Sequence, residues 1–173
     1  MSNQAVEMFR AIFKQSHEVL ENTIADVDDT MLNWQPPGLA NSIGANYGHT
    51  VTGEDFLVNG MMRKGEPLLA SSWAGKFGLS EPAPVGPGMR EWGQRVQIDL
   101  PALRAYAQAV YTSLDEYLAT LSDADLEITL QTQNFGTPTI GWFLGGIVLA
   151  NLNWHTGEIA CLKGIQGKKG YPF

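Results

Sequence analysis

The stretch TIGWFLGGIVLANLNWHTGEIACLKG, residues 139–164, contains the most apolar run of the chain, WFLGGIVLANLNW at 142–154. That run is shorter than the ~20 residues needed to cross a bilayer and reads as a buried helix of a globular core. Thr139 is a good N-cap, and Gly164 stands where a helix would stop. At 100° per residue, Asn151, His155 and Glu158 fall within about 60° of one another. Ile147, Val148, Ile159 and Leu162 flank them, so all three are expected on the core side. A buried carboxylate without a partner is costly, so Glu158 needs a cation or a donor. Two readings follow. The three side chains form a satisfied polar cluster, with Glu158 paired to His49, His17 or a Tyr or Trp donor, or they hold a divalent metal. No HExxH pattern is present, and His-x-x-Glu on one helix is a weak signal by itself.

Working toward the N-terminus, three more helices are expected. Residues 4–27 carry Val6, Phe9, Phe13, Leu20 and Ile24 at helical spacing. Residues 42–64 carry Ile43, Tyr47, Val51, Leu57, Val58 and Met61, with Asn41 or Ser42 as cap. Their glycines, Gly44, Gly48, Gly53 and Gly60, lower helix propensity and mark close approach of a neighbour or ligand. The third begins at Asp99 and Pro101 and carries Leu103, Tyr106, Val110, Leu114 and Leu121, with Tyr117 or Leu118 between the last two. Residues 65–96 are rich in Gly and Pro and show no period, so they form a long connection. Its aromatics Trp73, Phe77 and Trp92 either seal it against the helices or close over a substrate. Residues 128–140 read as a small hairpin or an extended connector. The expectation is an all-α four-helix bundle in a single domain, 1–173, with a long crossover between the second and third helices.

The composition excludes several functions. Net charge is −7 with no Lys/Arg run, which argues against nucleic acid and anionic membrane partners. The one cysteine, Cys161, permits no intrachain disulfide, and the first residues lack the pattern of a signal peptide. A cytoplasmic protein is expected. Five Trp in a chain that is 44% hydrophobic suit a shared surface or a pocket, and a homodimer is expected. His17 borders the stripe of the first helix and reads as a hydrogen-bonded core-edge residue. His49 has Ala45 and Gly53 one turn away, which leaves space around its ring.

Two segments, LNWQPPGLANSIGANYGH (32–49) and NLNWHTGEIACLKGIQGKKGYPF (151–173), resemble the DinB superfamily of DinB/YfiT-like metal-dependent proteins. The resemblance extends over the layout of the whole chain. It implies a four-helix bundle with crossed connectivity, often dimeric, and a divalent metal (nickel, zinc or iron) held by three histidines. His49 matches the ligand of the second helix and His155 the second histidine of the fourth. The first histidine of that pair falls on Asn151, a neutral amide and a poorer ligand for such metals. Glu158 is the candidate third ligand, giving a set of His49, Asn151, His155 and Glu158. The resemblance implies a metal-dependent small-molecule hydrolase or a transferase using a low-molecular-weight thiol. The alternative is a non-catalytic ligand-binding or stress-response dimer with a degenerate metal site, its pocket lined by Tyr47, Trp154 and the histidines. Two imidazoles more than about 8 Å apart would exclude a shared site, given metal–nitrogen bonds near 2 Å.

Overall fold

The computed structural model describes residues 3–84 and 86–173. Four helical rods dominate it. They are α1 (Gln4–Thr23), α3 (Ile43–Asp55), α5 (Leu100–Ala119) and the pair α6 (Ile140–Phe143) and α7 (Ala150–Ile165). Short helices α2 (Asp29–Asn33) and α4 (Met89–Arg95) lie in the connections. Two rods contain π-helical turns. Phe56–Met62 extends α3 without a break, and Leu144–Leu149 joins α6 to α7.

The expected caps form. Ser42 accepts from Ala45 N (3.2 Å), Asp99 from Ala102 N (3.0 Å) and Thr139 from Trp142 N (3.2 Å). Each satisfies an amide that the first helical turn leaves without an intrahelical partner. The start of α1 is capped from a distance, because Asp123 Oδ1 accepts from both Ala5 N and Val6 N (3.1 Å each).

The rods pack in a ring. α1 lies against α5 and α7, and α3 lies against the same two. Side-chain contacts set the directions. On α1 and α5, Arg10 meets Asp115 while Glu21 meets Arg104, so these two run antiparallel. On α3 and α5, Asp55 meets Tyr106 while Asn59 meets Ser113, so these run parallel. Parallel neighbours cannot be joined by a tight turn. The chain must return along the whole rod, ~30 Å for 20 residues, and residues 63–99 do this. That is the physical reason for the long crossover.

The crossover is packed. Trp92 is fully buried, donating Nε1–H to Glu81 O (3.2 Å), and Phe77 and Trp73 lie against the Tyr106 ring. The three aromatics therefore seal the crossover. Gly78 sits at φ +81° in close contact with the Leu103 backbone, where a side chain has no room. A short antiparallel bridge, Leu79 to Ile98, closes this part of the loop. Residues 128–140 form a minimal hairpin with one bridge, Thr129 to Thr139, and its tip carries Asn134 and Phe135. Among the described residues, no helix is long and apolar enough to cross a membrane.

The core includes Leu20, Ile43, Val51, Leu103, Leu114, Phe143 and Leu152, all at most 1% exposed. Burying each such side chain contributes about 1.5–3 kcal/mol. A polar seam crosses this core. Glu21 accepts from Tyr47 Oη (2.7 Å), Tyr111 Oη (3.0 Å) and Arg104 Nε (3.0 Å). Buried Glu54 receives His17 Nε2 at 3.0 Å from each oxygen, and the His17 ring stacks on Tyr111 at 3.7 Å. Burial, with Glu21 nearby, pushes the Tyr47 and Tyr111 hydroxyls well above the ordinary tyrosine range, so both stay protonated as donors.

Candidate functional site

His49 lies on α3 and His155 on α7, two rods that pack side by side. Their ring centroids are 4.8 Å apart and the rings are nearly perpendicular, at 89°. The pair is well inside the separation that would exclude a shared site. One turn further along each helix, Asn151 faces Gly53. The Asn151 Oδ1 stands 3.7 Å from where a Cβ on Gly53 would be. A side chain on Gly53 would meet the amide only at ordinary contact distance; the close approaches expected of glycines in this helix occur instead at Gly44, against Ile98 and Leu32, and at Gly48, against Leu79.

Glu158 departs from the expectation of a core carboxylate. Its side chain is 55% exposed, and Oε2 lies 2.6 Å from His155 Nδ1. The helical stripe rotates toward solvent at this point because α7 packs on α3 and α1 through Leu152, Thr156 and Ile159. An ionised carboxylate only accepts, so His155 Nδ1–H is the donor of this bond. Hydrogen bonding to His155 holds the Glu158 carboxyl below its usual range, against the opposing effect of partial burial. Glu158 therefore occupies the far nitrogen of His155, orienting the ring and leaving Nε2 free.

His49 has the more perturbed environment. Burial, followed by the neighbouring His155, lowers its pKa to about 4, with Glu158 pulling weakly the other way. At neutral pH His49 is an uncharged imidazole with one donor and one acceptor nitrogen.

A cavity of about 510 Å³ opens beside His49. Its walls come from both π-helical turns: Phe56, Leu57 and Met61 from one, Ile147 from the other. The crossover contributes Pro67, Leu69, Pro82 and Met89, and the hairpin tip adds Asn134 and Phe135. Trp154, 67% exposed over the residue as a whole, forms part of the rim. Tyr47, expected in this pocket, is elsewhere, fully buried on Glu21. Trp73, Phe77 and Trp92 do not line it either. The crossover reaches the cavity through prolines and Met89, which the sequence reading did not single out. The available signal was the Pro-rich stretch after Ser80 in a loop otherwise anchored by aromatics.

The donor set can be tested against a metal. Among the described residues, no three His, Cys, Asp or Glu side chains converge in a way that would hold one. What converges is two imidazoles and the neutral Asn151 amide, with Glu158 spent on His155. The set of His49, Asn151, His155 and Glu158 does not fit as a four-ligand shell. Cys161 is exposed, as expected of a residue outside the site. His17 is a hydrogen-bonded core residue with Glu54 as partner. Sequence reasoning missed Glu54 and Asp55, both buried. The signal was present, since residues 43–62 carry no Lys, Arg or further Asp or Glu and so offer no charged, solvated face.

A second concavity, a broad groove of about 870 Å³ between α1 and α5, is lined by charged side chains such as Arg10 and Asp115. These pair with each other across the groove, Arg10 Nε to Asp115 Oδ1 at 2.8 Å, so the pocket at His49 is the better candidate.

Comparison with known proteins agrees with this fold. A crystal structure described as a conserved protein from Enterococcus faecalis superposes with a TM-score of 0.79 at 20% identity, covering 94% of this chain and 97% of that one. At that identity the likeness speaks for the fold alone. A search of curated proteins found no match to this chain. The model of the DinB superfamily matches residues 12–159, a span that holds His49, Asn151, His155 and Glu158. With its bundle and parallel crossover, the chain belongs to the DinB superfamily.

Proposed function

We propose that this protein binds a small, mostly apolar molecule in the cavity beside His49. One observation carries the reading: an apolar-walled cavity of about 510 Å³ ends on an imidazole that burial keeps neutral. Small-molecule sites occupy about 300–1,000 Å³ and combine such walls with few polar groups. The two π-helical turns that line the cavity support the reading, since such turns occur often at functional sites. The test is a ligand-observed NMR screen of a fragment library, repeated on an Ile147→Trp variant whose larger ring fills the cavity. Hits lost in the variant support the proposal, and hits indifferent to it refute it.

A second reading is favoured by the 4.8 Å separation of the His49 and His155 rings. In it a divalent transition metal (nickel, zinc or iron) is bound by these two imidazoles with Asn151 beside them, and the pocket serves hydrolysis or thiol-dependent transfer. Elemental analysis of the untagged protein, with a His155→Ala control, decides it. About one metal per chain, lost in the control, supports this reading. No metal after incubation with nickel, zinc and iron leaves the metal-free pocket.

A further inference from the structure

We infer that the ligand of this cavity is uncharged and carries, on an apolar body, a group that both donates and accepts hydrogen bonds, as a carboxamide or lactam does. The inference rests on the binding role proposed above and adds the chemistry of the ligand. It follows from what meets the cavity. Among the described residues no Lys, Arg, Asp or Glu lines it. An anionic head, including the carboxylates of a peptide thiol, would lose its water and find no cation. An ammonium would find no carboxylate. Either loss weakens binding relative to an uncharged head group.

None of the polar side chains that line the cavity is a carboxylate, ammonium or guanidinium, and all but Thr52 lack a hydrogen-bond partner among the described residues. The side chains of His49, Asn134 and Asn151 make no hydrogen bond among the described residues, whereas Thr52 already donates its hydroxyl to Gly48 O (2.7 Å). An asparagine amide left open in an apolar wall offers one acceptor and two donors. Asn151 is half-buried in the wall, against Gly53, and the imidazole of His49 also lines the cavity and brings further ring nitrogens to it. The complement of such a pair is a group with both functions and no charge. A purely apolar ligand would leave these groups without water or partner, an unfavourable outcome. Asn151 in this account reads the head group of the ligand by its two-sided hydrogen bonding.

A series of four probes with one body tests this at pH 7: 4-phenylbutanamide, 4-phenylbutanoate, 4-phenylbutylamine and butylbenzene. Binding to the full chain is measured by NMR titration, following the indole N–H of Trp154 and the His49 ring. The expected result is an amide that binds at least about tenfold more tightly than the acid and the amine, because only it avoids burying a charge. Butylbenzene should bind more weakly than the amide, and Asn151→Leu should remove the advantage of the amide while leaving butylbenzene bound. Acid or amine binding as well as the amide overturns the inference, as does a preference for the amide unchanged in a folded Asn151→Leu. Butylbenzene binding as tightly as the amide sinks the head-group inference but leaves the pocket. If none of the four perturbs either signal, the binding role falls with it.

Discussion

Asp55 offers the sharpest test of how the pocket is held. It is fully buried on α3 and accepts four hydrogen bonds. Tyr106 Oη donates at 2.6 Å and Asn59 Nδ2 at 2.8 Å, both from the core. Leu68 N and Leu69 N donate at 3.0 Å each, from the first turn of the crossover. One carboxylate thus pins the crossover to α3 and α5, immediately beside Pro67 and Leu69 of the pocket wall. Replacing Asp55 by Ala strands two fully buried donors and two partly buried amides. Each buried donor left unpaired costs about 1–3 kcal/mol, and the amides, which water can reach, cost less. The sum is a loss of about 3–5 kcal/mol. For a chain of this length, that lowers Tm by roughly 6–20 °C. Tyr106→Phe removes a donor instead of stranding one and should cost about 1 kcal/mol. Urea unfolding followed by circular dichroism and Trp fluorescence gives both numbers, with the slope m unchanged. Hydrogen exchange at Leu68 and Leu69 should also quicken in Asp55→Ala. A loss below about 1 kcal/mol, or unchanged exchange at these two amides, would refute the claim that Asp55 anchors the crossover.

The other predictions concern the site and two glycines. His49 has a folded pKa of about 4 against an ordinary 6.5. The unfolded chain therefore takes up the proton first as pH falls. Its contribution is complete above pH 6.5 and is lost as pH drops from 6.5 through 4, on the order of 3 kcal/mol. The difference in stability between wild type and His49→Asn, measured across that window, should shrink in step, and a flat difference contradicts the neutral buried imidazole. Trp154→Ala should change stability by no more than ~0.5 kcal/mol, since the residue is 67% exposed, yet weaken any pocket ligand in titration. Gly53→Ala should fold normally and gain about 0.5–1 kcal/mol from helix propensity, its new Cβ in ordinary contact with Asn151. Gly78→Ala should lose several times that, because the Cβ would collide with the Leu103 backbone at a positive φ; equal Tm values for the two variants would refute this contrast.

The helices, their caps and the crossover were legible in the sequence because they are set by local physics. Ser42, Asp99 and Thr139 cap helices whatever the tertiary context, and the 3.6-residue stripe of α5 has one buried solution. Family membership was legible too, through the two segments around His49 and His155. The π-helical turns were not, because Phe56–Met62 and Leu144–Leu149 carry no residue pattern that separates them from α-helix.

By itself, then, the sequence determined an all-α bundle, a helix pair carrying His49 and His155, and a crossover packed by aromatics. It could not decide which way a polar residue at the edge of a stripe would turn. Asn151, His155 and Glu158 share a face within one helix, but the packing of α7 on α3 and α1 sets where that face passes from core to solvent. Only the tertiary structure put Glu158 outside on His155, gave His17 to Glu54, and took Tyr47 out of the pocket to Glu21. A helix has one periodicity and therefore one apolar face. The partner of a buried charge is chosen by whichever donor another helix brings within about 3 Å, and that distance exists only after the rods have packed.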